Sequence, residues 1–159
     1  MKRIFTDIEI NDLIKEVKNI DVNDYNNLLN LTKQRKQHLE KEILIKKNDG
    51  NSFLIIIRKN KLNIMDFSVI LGYLPNKTNS VFRLRRYNGK SHRHKNKLEK
   101  NSFYDFHIHT ATERYQQLGM REDHYAEPTS KYSDINGAIS NLFNDCLIKI
   151  PNGGQPLLL

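Results

Sequence analysis

The chain has 159 residues, 38% of them hydrophobic and 28% charged, with a net charge of +8 and one cysteine. That is enough for one domain with a modest core and a well-solvated surface. The longest apolar run, 53–57, is far too short to cross a bilayer, and the lone Cys146 excludes an intramolecular disulfide and fits a reducing compartment. The opening Met1-Lys2-Arg3-Ile4-Phe5 carries no apolar signal region, so the expected location is the cytoplasm, with no membrane partner.

In chain order, the first predicted element is a helix. Thr6-Asp7-Ile8-Glu9 reads as a capping box, in which hydroxyl and carboxylate satisfy orphan backbone donors reciprocally. Ile10, Leu13, Ile14 and Val17 recur behind it at helical spacing. A second, weaker helix is predicted over 25–31, where several asparagines compete with the backbone. Strands follow at 42–47 and 52–58, flanking Asn48-Asp49-Gly50-Asn51, whose Asp-Gly pair signals a hairpin. Residues 53–57 are apolar on both faces, the pattern of a central strand.

A third strand is placed at 62–71 and a turn at Pro75-Asn76-Lys77. Two further strands, 81–87 and 104–110, are joined by a long basic loop. The last helix is predicted to start at Ser133 as N-cap, with Asp134 in its positive first turn. Ile135, Ile139, Leu142, Phe143, Cys146 and Leu147 form its apolar stripe, and Pro151-Asn152-Gly153-Gly154 ends it. The predicted architecture is α+β: an antiparallel sheet of about five strands, with an N-terminal helix and a C-terminal amphipathic helix on one face. Residues 1–150 form this domain, and 151–159 a flexible or docked tail.

The positive charge is local. Residues 81–100 hold Arg83, Arg85, Arg86, Lys90, Arg93, Lys95, Lys97 and Lys100 against the single acid Glu99, which leaves the remainder of the chain nearly neutral. Such concentration marks a polyanion site, with nucleic acid the commonest partner; the competing reading is a solvated basic loop.

Strand alternation adds a second pattern. Asp105, His107 and His109 share one face of their strand, and Arg83, Arg85 and Tyr87 share one face of theirs. If the strands pair, these groups meet on one wet surface, with Glu113 and Tyr115 just beyond and His92 and His94 in the loop. The set suits metal-free phosphodiester cleavage. His107 and His109 would move protons, with His92 as a further catalytic candidate. Arg83 and Arg85 would stabilise the phosphate, and Glu113 would orient a histidine. Arg86, Tyr87, Lys90, Arg93, His94, Lys95, Lys97, Lys100 and Tyr115 are the candidate nucleic-acid contacts, a tyrosine stacking on a base. The plain alternative is that polar alternation marks the wet side of a half-exposed sheet. A metal site built from His107 and His109, with Asp105 or Glu113 and with His92 from the loop, competes with both readings. The surrounding cations argue against a dication, so no metal ligand and no cofactor is assigned.

The run Phe82-Arg83-Leu84 through Gly89-Lys90-Ser91-His92, followed by His107-Ile108-His109 with Glu113 and Tyr115, resembles an uncharacterised group of small bacterial proteins. That group carries an Arg-Leu-Asp strand, a Gly-x-x-His turn with an Asn-Pro-Asp-Gly loop, and a His-Leu-His-x-Tyr-x-Glu-Gly segment. This chain departs from it: Arg85 stands in place of the aspartate, Thr110 and Ala111 flank differently, and Arg93-His94-Lys95-Asn96 replaces the Asn-Pro-Asp-Gly loop. The resemblance implies that His92, His107, His109 and Glu113 belong together, and its setting is compatible with a mobile-element or toxin–antitoxin role.

The leading expectation is therefore an RNA-directed protein, a metal-independent ribonuclease of the toxin type, with RNA as partner and a small acidic protein as neutraliser. The alternative is a non-enzymatic module that binds nucleic acid or protein, including a mobile-element or phage inhibitor of a host defence nuclease.

Overall fold

The computed structural model describes residues 2–150; the tail predicted at 151–159 lies outside them. Helix α1 (Asp7–Lys15) begins at the predicted capping box. The Thr6 hydroxyl accepts from the Glu9 N–H at 3.1 Å, and the Glu9 carboxylate accepts from the Thr6 N–H at 3.0 Å. A cap of this kind is worth about 1 kcal/mol. Ile10 and Ile14 face the core, whereas Val17 lies past the helix end and is exposed. Strand β1 (Lys18–Asn19) follows, then α2 (Val22–Asn26). This helix precedes the predicted 25–31, because the Asp21 carboxylate caps the N–H groups of Asn23 and Asp24 and starts it early.

The strands β2 (Lys33–Arg35), β3 (His38–Lys46), β4 (Ser52–Asn60), β5 (Phe67–Leu74) and β6 (Phe82–Asn88) form an antiparallel meander. Gly50, at φ +89°, makes the β3–β4 turn that Asp-Gly predicts. The third predicted strand starts too early. Leu62 and Ile64 are 83% and 87% exposed, because the Asn60 side chain accepts from the N–H groups of Leu62 and Asn63 and turns the chain.

Beyond β6, the predicted loop contains a hairpin of its own, β7 (His94–Asn96) with β8 (Asn101–Phe103). The chain then re-enters the sheet as β9 (His107–Thr110), which pairs antiparallel with β6. Helix α3 (Glu113–Gln117), capped by Thr112, leads to the edge strand β10 (Ala126–Pro128). Helix α4 (Ile135–Asp145) is capped by Asp134 rather than Ser133: its carboxylate accepts from the Gly137 N–H at 2.7 Å. Last, β11 (Ile148–Lys149) lies parallel to β1.

The fold is α+β. Among the described residues the main sheet has seven strands in the order β10-β9-β6-β5-β4-β3-β2, against about five predicted. The additional edge strands β2 and β10 are three residues each and carry no apolar alternation to announce them. Helices α1 and α4 cover one face, against Ile55, Ile57, Val69 and Leu71, all fully buried. Burial of each such side chain contributes roughly 1.5–3 kcal/mol. On the opposite face Leu54 and Ile70 are also buried, which is why β4 reads as apolar on both sides.

A buried cation joins the two ends of this layer. Lys18 Nζ donates to the carbonyls of Ile14, Glu16 and Cys146 at 2.9, 2.7 and 2.9 Å, and burial pushes the ammonium pKa down to about 8. Among the described residues no helix is long and apolar enough to cross a membrane.

Candidate nucleic-acid interface and histidine cluster

The two late strands are neighbours, as the shared-surface argument requires, but their register changes which residues share it. Arg86 lies opposite His109 and Asn88 opposite His107, so these four side chains occupy one face. Arg85 and Tyr87 lie opposite Thr110 and Ile108 and point to the other face, towards α4. The even alternation expected of 81–87 is broken by a bulge. Gly72 pairs with Arg83 and Leu71 with Arg85, leaving Leu84 as the extra residue and Arg83 and Arg85 on opposite faces.

The predicted phosphate-binding arginines are therefore engaged elsewhere. The Arg83 backbone N–H donates to Glu122 at 3.1 Å, and its guanidinium lies 3.5 Å from the same carboxylate. Arg85 donates to the Tyr87 hydroxyl at 3.1 Å and lies 3.7 Å from Asp145. A cavity of about 830 Å³ opens on that helix-covered side and includes Arg85 but none of the histidines. Tyr87 is fully buried, its hydroxyl donating to Asp145 at 2.6 Å. Tyr115 is fully buried too, donating to Glu99 at 2.6 Å and accepting from the Leu98 N–H at 3.1 Å. Neither offers a ring face to a base, which corrects their placement among the nucleic-acid contacts. Glu113 does not orient a histidine through any contact seen here. It exchanges hydrogen bonds with Asp7, the N–H of each residue donating to the other's carboxylate, and so ties α3 to α1.

The histidines behave differently from the prediction. His107 and His109 are 0% and 3% exposed, and His94, predicted as a loop contact for phosphate, is 8% exposed and packs against them. Ring centroids lie 5.4 Å apart for His94–His107, 4.8 Å for His94–His109 and 5.0 Å for His107–His109. One ring nitrogen of each lies within 4.8 Å of the others. Desolvation lowers all three pKa values, His107 to about 4 and His109 further still. At neutral pH these rings are uncharged, which suits neither the protonated acid of a cleavage pair nor a contact to phosphate. His92 alone stays exposed, its ring 5.7 Å from that of His107.

Three residues unnoticed in the sequence hold the cluster. Asp123, completely buried, accepts from Arg86 Nε at 3.0 Å, while Arg121 Nε stands 2.8 Å from its second oxygen as an ion pair without hydrogen-bond alignment. Its backbone carbonyl accepts from His109 Nδ1 at 2.7 Å. Asn96 exchanges hydrogen bonds with the backbone of Ala126, fastening the β7–β8 hairpin to β10. Asn88 lies between Ser68 and the two sheet histidines. Asn88 was legible as the next residue on the Arg86 face; for Asn96 and Asp123 no local pattern marks the role.

The hairpin that His94 roots is the basic element. Arg93, Lys95, Lys97 and Lys100 are exposed, and among the described residues none of them has a carboxylate within ion-pair distance. Lys90 is half-buried and reaches Asp105 only at 3.9 Å. Glu99, the acid at the hairpin tip, is consumed by Arg114, whose Nε donates to it at 3.0 Å. No family model matches the chain, and no curated protein or solved structure matches it either.

Proposed function

We propose that this protein is a cytoplasmic RNA-directed protein whose β7–β8 hairpin grips the phosphate backbone. The observation that supports the reading is the set of free cations on that hairpin. Arg93, Lys95, Lys97 and Lys100 stand in water without acids, while the nearby carboxylates Glu99, Glu122 and Asp123 are each taken by an arginine. Cations left unpaired beside neutralised acids give a one-signed field suited to a polyanion. Binding without turnover is the favoured form, since His107 and His109 are buried and uncharged.

A ribonuclease of the toxin type is the second reading, favoured by the exposed His92 edge-on to His107 at the foot of the hairpin. On that reading a small acidic protein is the neutralising partner. Titration of labelled single-stranded RNA at several salt concentrations separates the possibilities. Affinity should fall steeply with salt, and a triple Lys95→Ala, Lys97→Ala, Lys100→Ala variant should lower the log–log slope by about 2, at roughly 0.7 per phosphate contact. Salt-independent binding, or an unchanged slope in the variant, overturns the proposal. RNA cleavage that disappears in His92→Ala would establish the second reading instead.

A further inference from the structure

Three histidines meeting in a protein interior need an explanation, because each imidazole brings one donor and one acceptor that must both be placed. The donors are settled by partners that can only accept. His107 Nδ1 lies 2.8 Å from the Asp105 carbonyl, and His109 Nδ1 lies 2.7 Å from that of Asp123. His94 Nε2 lies 2.9 Å from Asn96 Oδ1. That atom is identified as the amide oxygen because it also accepts from the Ala126 N–H, while the amide nitrogen donates to the Ala126 carbonyl. Those three ring nitrogens therefore carry the protons. The lone pairs sit on His94 Nδ1, His107 Nε2 and His109 Nε2.

The donor those lone pairs meet is poor. Asn88 Nδ2 stands 3.4 Å from His107 Nε2 and 3.5 Å from His109 Nε2, at the long limit of a hydrogen bond, with its own oxygen turned to Ser68. A shared proton is no better, since burial opposes an imidazolium here and the Arg86 guanidinium lies close by. Each ring is also oriented from behind by an oxygen acceptor on its far nitrogen, the arrangement that fixes metal-ligating histidines.

We infer that His94, His107 and His109 form a binding site for one divalent transition-metal ion of the zinc class, held through three neutral imidazole nitrogens. Three nitrogen ligands with a fourth position left to a small donor such as water suit tetrahedral zinc. The cations that argue against a dication in the sequence do not weigh against this place. Arg86 and Arg83, which share the cluster's face, are matched by Asp123 and Glu122. Zinc-bound nitrogens stand roughly 3.3 Å apart at ordinary zinc–nitrogen lengths, so an ion would draw the present cluster inward. His94 belongs to the hairpin and the other two to the sheet, so the ion would fasten one to the other. This site is independent of the RNA reading and departs from the expectation that no metal is bound.

The test uses the full chain, stripped with a chelator and dialysed. Titration with zinc chloride at pH 7.5 should give one equivalent bound per chain and a higher Tm. Cobalt(II) should give the visible absorption bands of a low-coordinate nitrogen site. His94→Ala should weaken zinc binding at least 100-fold, while His38→Ala, remote in the sheet, leaves it unchanged. Should the His94 variant fail to fold, ring-nitrogen NMR of the unaltered protein decides. Zinc should shift the His94, His107 and His109 rings, with His94 bound through Nδ1 and the other two through Nε2. Absence of stoichiometric binding, shifts confined to other histidines, or full affinity in a folded His94→Ala protein each overturns the inference.

Discussion

Replacing Asp123 by asparagine is expected to destabilise the fold by about 3 kcal/mol or more, the cost of leaving a buried charge without its partner. The carboxylate is completely buried and is the ion-pair partner of Arg86, whose side chain is only 15% exposed. Asparagine keeps the shape and removes the charge. The guanidinium would then stand in the interior beside three uncharged histidines, with desolvation already opposing it. The result to look for is a lower midpoint in urea unfolding, read with an Arg86→Met companion. If the loss comes from the stranded cation, Arg86→Met in the Asp123→Asn background should recover more than half of it, because neighbours in one ion pair are not additive. Additive losses would show that Asp123 matters chiefly as the loop residue whose carbonyl holds His109.

Gly89→Ala is the second large effect. A Cβ at this position would lie 1.9 Å from the Met65 carbonyl oxygen and 2.8 Å from its carbon, both backbone atoms that no rotamer change can remove. The close approach is made where the 61–66 turn folds over the end of β6, with the Gly89 N–H donating to Phe67 at 3.0 Å. We expect a loss of about 3 kcal/mol, at the upper end of overpacking costs. The hairpin entry at Lys90 should also be displaced. Urea unfolding measures the first effect, and the RNA salt slope reads the second. A stability change below about 1 kcal/mol would mean that the two segments separate freely, and the contact would then have no role in placing the hairpin.

Much of this fold could be read from local signals, and the failures share a cause. Thr6 and Glu9 lie three residues apart and cap a helix by themselves, and Asp49-Gly50 makes its turn without help. The alternation of His107 and His109 placed both correctly on one face. The errors came where a distant segment decides. Nothing near Arg83 announces that Leu84 is an added residue, because the bulge is defined only against β5. Likewise His94 sits among lysines in the sequence and reads as a surface group. It is buried because Asn96 fastens its strand to Ala126, thirty residues on. Basic character and burial thus belong to alternate residues of one short strand: His94 and Asn96 face in, while Lys95 faces out. Composition reports their sum and conceals the division. The grouping expected of His92, His107, His109 and Glu113 left out His94, which packs against the two sheet histidines, and included Glu113, which ties α3 to α1 instead.

The clasp that closes the molecule bears on the order in which it assembles. The meander β3 to β6 joins strands adjacent in sequence, so each pairing closes only a short loop. Lys18, in contrast, pairs with Ile148 near the opposite end of the chain, and its ammonium reaches full solvation by carbonyls only when Cys146 arrives. Long-range closure is the slow, entropically costly step in such a topology. We therefore expect the sheet to form first and Lys18 to leave water last. In native-state hydrogen exchange, the amides of Lys18 and Ile20 should open well before those of β4. The buried lysine would then act as the latch of the folding reaction as well as its final desolvation.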